Sequence, residues 1–293
     1  VATLRAIKNR IRSITNIRQI TKAMETVSAT KLRRAQSRAE QGAPYSDKMG
    51  EILANLVASL PKGATVQHPL MEVREAVKTI CLVVVASDKG LCGSFNANVA
   101  RVAKIEALRW EADGVKVIIL PIGKKMRDAF KRDSRVVEGF VGLDQAIPFS
   151  ELKLLTDRLT DMFTSGEVDR VDFVFTRFIN AAVQRATHEQ FLPLSRVDAG
   201  DESSQKTRDY IFEPDAQSLF ISLLPAYARV KVFFILAQNY ASEHAARMVS
   251  MKNATDNASD LIKSLTLQRN KARQAAITKE LSEIVGGAEA LKG

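Results

Sequence analysis

Met251 to Ala275 reads MKNATDNASDLIKSLTLQRNKARQA. Within it Met251, Ala254, Ala258, Leu261, Leu265, Gln268, Ala272 and Ala275 step alternately by three and four residues, the heptad of a coiled-coil seam. The seam is alanine-rich, so a partner helix can approach closely. A shifted seam follows at Ile277, Leu281, Ile284 and Ala288. Ala226 to Ala290 holds no proline, and its only glycines are Gly286 and Gly287. At 1.5 Å per residue a helix from Ala226 to Glu289 is ~96 Å long. A typical globular helix has ~11–12 residues, so ordinary globular packing is excluded here. Pro225 is expected to mark a break ahead of it.

The other end of the chain is helical too. Thr3 is the expected N-cap, without the acidic third residue of a capping box. Leu4, Ile7, Ile11, Ile14, Ile17, Ile20, Met24 and Val27 form a narrow apolar stripe at helical spacing. Its runs of three-residue steps predict a seam that drifts, which argues against a long regular zipper. Gly42 and Pro44 are expected to kink or interrupt the helix. Helical spacing resumes from Tyr45 to Leu60, and Pro61-Lys62-Gly63 ends it.

Between these ends the period changes. Thr79–Ala86 (TICLVVVA), Val115–Leu120 (VKVIIL) and Arg170–Ala181 (RVDFVFTRFINA) are β-branched runs of strands buried on both faces. Arg135–Phe140 and Phe191–Val197 are weaker strand candidates. Asn96–Ala112, Lys124–Lys131 and Phe149–Ser165 read as helices between them. Strand and helix in alternation predict an α/β layered domain. The polar stretch 198–209 reads as a linker.

The predicted fold is therefore α/β: a long antiparallel coiled coil of N- and C-terminal helices plus a Rossmann-like α/β domain. The predicted segments are 1–60 for the N-terminal helix, 77–197 for the α/β domain and 213–290 for the C-terminal helix. An intermolecular dimer through the C-terminal helix alone is the alternative.

Composition narrows the function. Forty-three basic and 33 acidic residues give a net charge of +10. Residues 1–40 hold ten basic and two acidic side chains, so eight of those ten charges sit in the first forty positions. The N-terminal helix is where an anionic partner is expected. Two cysteines exclude a disulfide scaffold. No apolar run approaches the ~20 residues of a membrane-spanning helix, and no Sec-type signal peptide is expected. A soluble protein of a reducing compartment, or one held at a membrane by partners, is the expectation.

No catalytic constellation emerges. His68, His188 and His244 are scattered over expected loop and helix positions. Cys81 lies in a strand and Cys92 in a glycine turn, without zinc spacing. The turn Ser87-Asp88-Lys89-Gly90-Leu91-Cys92-Gly93-Ser94 stands where α/β folds bind phosphates, between a buried strand and a helix. It matches neither GxGxxG nor GxxxxGK[ST], so no nucleotide site is assigned. No cofactor and no metal are expected.

Four stretches together resemble one family. Ile20-Thr21-Lys22-Ala23-Met24 with Ser28–Ala35 (SATKLRRA) resembles the N-terminal helix of the gamma subunit of F-type ATP synthases. Ser87 to Gly93 (SDKGLCG) is similar to that family's SD[KR]GLCG loop, and Ala245–Ala258 (AARMVSMKNATDNA) to its ARM-x-AM-x-NAT-x-NA segment. Ile277-Thr278-Lys279-Glu280, Glu283, Gly287-Ala288 and Ala290 resemble its C-terminal signature. Gln217–Ala226 departs, and touches none of these motifs.

The resemblance implies a central-stalk rotor shaft that couples proton translocation to ATP synthesis or hydrolysis, itself non-catalytic and present once per complex. It implies alpha and beta subunits of the catalytic ring, an epsilon subunit and the membrane c-ring as partners. It places the chain as a peripheral membrane protein, at the cytoplasmic face of a bacterial inner membrane, with mitochondrial matrix and thylakoid as alternatives. By the same resemblance Met24, Arg273, Gln274, Thr278 and Glu280 face the beta subunits. The turn Ser87, Asp88, Lys89, Gly90, Leu91, Cys92 and Gly93 lies near their lever regions. Cys81 and Cys92 are not the redox switch of the chloroplast gamma subunit. A homodimeric coiled-coil adaptor stays open, as does a nucleic-acid binder. Against the latter, no aromatic residue stands in residues 1–40 for base stacking.

Overall fold

Two kinds of sequence period produce two kinds of packing. The computed structural model describes residues 4–59, 68–142, 147–194, 213 and 215–290. The helices are α1 (Leu4–Ser59), α2 (Phe95–Ala112), α3 (Lys124–Ala129), α4 (Phe149–Thr164) and α5 (Ala216–Ala290). The strands are β1 (Thr79–Val85), β2 (Lys116–Ile122), β3 (Arg170–Phe178) and β4 (Gln184–Leu192). The chain divides into two units, one of residues 29–246 and one of residues 1–28 with 247–293.

In the larger unit the sheet order is β2-β1-β3-β4. β1 runs parallel to β2 and β3, and β4 returns antiparallel to β3. Because side chains alternate along a strand, β1 feeds two cores. Cys81, Val83 and Val85 join Leu53, Leu155, Phe163, Phe173 and α5 residues Leu224, Val232 and Ile235. Ile80, Leu82 and Val84 join Phe95, Val99, Ala103 and Phe130 on the other face. Asp169 fastens the start of β1: it accepts from Lys78 N (2.7 Å) and Thr79 N (2.8 Å) and pairs with Arg74.

Several expectations are corrected. The fourth strand is Gln184–Leu192, where Phe191–Val197 was expected; residues 195–197 lie outside the described residues. Its sequence, QRATHEQFL, is polar because most of it is only half-buried. Of Arg135–Phe140 only the isolated bridges Ile119–Val136 and Ile122–Phe140 form. Gly42, Pro44 and Pro225 do not interrupt their helices. A proline inside a helix costs ~3 kcal/mol, and packing outweighs it here: Leu224 and Ala228, which flank Pro225, are buried. α5 also contains an 18-residue window of mean hydropathy 1.8, long and apolar enough to cross a membrane by length and composition only. Phe220, Leu224, Val232, Ile235 and Leu236 of this helix lie in the protein core. The expected N-cap Thr3 and the linker 198–209 lie outside the described residues.

The smaller unit is the coiled coil. Thr21 Oγ1 and Thr255 Oγ1 share a hydrogen bond of 2.8 Å. The unit takes residues up to Ser28 from α1 and from Arg247 onward in α5, so the two run antiparallel. The α1 seam is not the predicted apolar stripe. Ile7, Thr21 and Ser28 are buried, with Ile11, Ile14, Arg18 and Glu25 half-buried between them. That is a regular four–three alternation, whereas Ile17, Ile20 and Val27 stand 53%, 60% and 55% exposed. The apparent drift is two stripes read as one. On α5 the frame holds at Met251, Ala258 and Leu265, but Thr255, Ile262 and Arg269 take the intervening places. Leu261 and Gln268 point outward.

Candidate functional site

The turn after β1 is held rigid by its own side chains. Ser87 Oγ donates to Lys89 O (2.6 Å) or Asn96 Oδ1 (2.9 Å), and Asn96 Nδ2 donates to Cys92 Sγ (3.3 Å). Leu91 sits at φ 62° and Gly93 at φ 59°, both left-handed. Glycine takes that conformation freely, while Leu91 carries strain and presents an exposed side chain. Asp88 ties the turn to the first residue of α3 and to Gly142, accepting from Lys124 N (2.7 Å) and Gly142 N (3.0 Å). Cys92 is buried beneath, a filler of the turn.

The crevice beside this turn, at the carboxyl ends of β1 and β2, is where open α/β sheets bind ligands. Here α5 occupies it. Asn239 Oδ1 accepts from Thr176 N (3.0 Å) and Ser242 Oγ donates to Thr176 O (3.0 Å). A cavity of about 20 Å³ remains, lined by Asp88, Gly123, Asn239, Tyr240 and Glu243 among others. That is room for one water.

Other chemistry-bearing residues are absorbed structurally. His68 Nδ1 accepts from Leu70 N (3.1 Å), and burial lowers its pKa. His188 lies in β4, not in a loop or helix, and its Nε2 is 2.6 Å from the buried Asp172. His244 is buried, its ring edge-on to Tyr240. Burial pushes the Cys81 thiol up to about 12. Among the described residues no group of three or more His, Cys, Asp or Glu is placed to hold a metal ion.

The predicted partner-facing residues fall in two places. Met24 is half-buried, beside the exposed stripe of Ile17, Ile20 and Val27. Arg273, Gln274, Thr278 and Glu280 are all exposed. They share a property that seam-reading missed. With Thr21 opposite Thr255, the start of α1 at Leu4 comes level with Ala272. Past that point α1 has no described residue left to pair, and every described side chain from Arg273 to Gly287 is exposed. The predicted seam of Ile277, Leu281 and Ile284 is bare, at 48%, 57% and 67% exposure. The structure thus gathers these four residues on an apolar-striped stretch of α5 that has no partner among the described residues.

A family model described as ATP synthase matches residues 3–291. The ATP synthase gamma chain of Symbiobacterium thermophilum is 42% identical over 291 residues, covering 99% of this chain and 98% of that one. That of Desulforamulus reducens is 43% identical over 293 residues, covering both completely. Among solved structures, the central stalk and c-ring of Tetrahymena thermophila mitochondrial ATP synthase matches with a TM-score of 0.58 at 26% identity, over 80% of this chain and 99% of that one. A Euglena gracilis mitochondrial ATP synthase chain shares the fold, with a TM-score of 0.68 at 20% identity, over 98% of this chain and 94% of that one. With the buried-strand α/β unit, the paired terminal helices and the bare α5 end already in place, these full-length matches assign the chain to the ATP synthase gamma-chain family.

Proposed function

We propose that this chain works as the central rotor shaft of an F-type ATP synthase, a non-catalytic subunit that couples proton translocation in the membrane sector to ATP synthesis or hydrolysis in the catalytic subunits. The observation that carries this reading is the end of α5. Most helical stability in proteins comes from packing an apolar face. From Arg273 onward this helix has no partner within the described residues, yet it keeps Ile277, Leu281 and Ile284 in one stripe. Such a helix needs an apolar sleeve from other chains, and a ring of alpha and beta subunits is the sleeve the family offers.

On this reading Met24, Arg273, Gln274, Thr278 and Glu280 meet the beta subunits, and the turn Ser87–Gly93 lies near their levers. The Arg273 guanidinium makes no hydrogen bond or ion pair with the described residues, and its fork suits a carboxylate or a loop of carbonyls. The basic side chains of α1 would meet acidic surfaces, setting register and encounter more than affinity. The epsilon subunit and the c-ring complete the partners, one copy of the chain serves each complex, and attachment to the bacterial inner membrane is through those partners.

Affinity purification of the tagged chain from its native membrane tests this. Co-purification of alpha, beta, epsilon and c subunits, with no ATP hydrolysis by the chain alone, is the expected result. Recovery of a second copy of the chain and nothing else would replace the rotor with the homodimeric adaptor.

A further inference from the structure

One cavity of the larger unit has no place in the rotor reading. It encloses about 390 Å³ between α1, α4 and the first third of α5, within the range of small-molecule sites. Its walls are Gly42, Tyr45, Phe149, Phe233 and Phe234, with three more aliphatic side chains. Among the described residues, Arg229 and the Tyr45 phenol are its only polar side chains.

Two features make it more than a packing gap. A methyl group on Gly42 would lie 3.3 Å from Phe233 Cε1 and 3.5 Å from Phe234 Cζ. The missing side chain therefore lets two edge-to-face rings, 5.5 Å between centroids, lie against the backbone of α1. Glycine is disfavoured inside a helix relative to alanine, so this close approach of the rings to the backbone is held against helix propensity. Secondly, Arg229 is half-buried and makes no hydrogen bond or ion pair with the described residues. A guanidinium beside apolar walls gains from a partner that satisfies its fork of donors, and a carboxylate matches it. At the cavity Phe149 is 69% and Tyr45 57% exposed, large rings left in water.

We propose that this cavity is a binding site for a single-chain amphiphilic anion, a medium- or long-chain carboxylate whose head group pairs with Arg229 and whose tail lies between Phe149, Phe233 and Phe234. An apolar channel with one cation discriminates by charge: an alcohol or amine of equal chain length leaves the guanidinium unpaired or repelled.

The test uses cis-parinaric acid, whose fluorescence rises in apolar surroundings, below its micellar concentration. It is titrated into the full chain and into the assembled complex. Saturable binding of one probe per chain is expected in both. Dodecanoate should displace it at least tenfold better than dodecanol or dodecylamine. Arg229→Ala should weaken the probe about tenfold, the size of a lost charge-assisted contact, while leaving displacement by dodecanol unchanged. Phe149→Ala changes an exposed ring and leaves the fold intact, so it should weaken both probe and competitors. Gly42→Leu should abolish binding, with circular dichroism and the melting curve read alongside. Equal binding by wild type, Arg229→Ala and Phe149→Ala overturns the proposal. Binding by the free chain but not by the complex overturns it too, because another subunit then covers the cavity.

Discussion

Two stretches of α5 share one helix and meet opposite fates. Phe220, Leu224, Ala228, Val232, Ile235 and Leu236 are buried in the larger unit. Ile277, Leu281, Ile284 and Val285 carry comparable apolar mass and stand in water. Helical spacing alone does not distinguish them; what differs is whether the chain supplies something to pack on. The first stretch stabilises this molecule, and the second finds nothing to pack on among the described residues.

The largest expected contrast follows directly. Phe173, buried in the sheet core and edge-to-face with Phe191 at 5.4 Å, should cost about 3–5 kcal/mol as Phe173→Ala. Leu281→Ala should stay within about ±0.5 kcal/mol in the isolated chain and act only on assembly. Urea denaturation of both variants checks this, and a large loss at Leu281 in the free chain would erase the contrast.

Next in size is Asp169. Burial alone would raise its pKa, but the Arg74 guanidinium and the N–H groups of Thr79 and Lys78 outweigh that and hold it below the usual carboxylate range. A depressed folded pKa gives stability that is full above the unfolded value of ~3.9 and is lost as pH falls through the folded one. Asp169→Asn should cost about 2–3 kcal/mol at pH 7. The gap from wild type should narrow below about pH 4. A gap independent of pH would mean that the carboxylate charge contributes nothing.

Arg273→Ala sharpens the bare end of α5. It should leave helicity intact and weaken assembly by about 1.5–3 kcal/mol if it grips a beta subunit. Exposed Lys271 is the control, since Arg269 lies in the seam and bonds Asn270 Oδ1 at 3.2 Å. Equal effects on steady-state ATPase at Arg273 and Lys271 would sink the assignment.

Thr21 and Thr255 probe the paired part of the coil. Either Thr→Val change alone should cost about 1 kcal/mol, and both together less than the sum. Additive costs in a double-mutant cycle would show that the hydroxyls do not interact.

The smallest effect on folding belongs to Met24→Lys, expected within about ±0.5 kcal/mol. Its readout is proton pumping per ATP in membrane vesicles, which should fall. Unchanged pumping would remove Met24 from the interface.

The sheet was legible wherever a strand is buried on both faces. TICLVVVA and VKVIIL can be little else, whereas QRATHEQFL hides an edge strand behind polar side chains. The coiled coil was legible as a period but not in phase. Thr21, Ser28 and Thr255 fill seam places that a search for apolar residues skips, while Ile17, Ile20 and Val27 draw the eye to a face the chain leaves open. The prolines misled because their cost is local and the packing that offsets it is not. Of the candidate site, the motif residues were readable, but their exposure depends on where α1 starts opposite α5, a tertiary register. Arg229 gave no sequence signal and Gly42 was read only as a helix breaker, because a cavity exists only once three helices meet.

One small clasp has a mechanical meaning. Asn239 and Ser242, one helical turn apart on α5, hold both the N–H and the C=O of Thr176 in β3. Each residue of a helix turns it by about 100°, so these two side chains face Thr176 in only one angular setting. Axial spin of this part of α5 against the sheet would tear both bonds and leave a buried peptide unit unsatisfied. The clasp therefore acts as a key in a keyway: it adds little to the strength of the joint along the helix and a great deal to its resistance to torque.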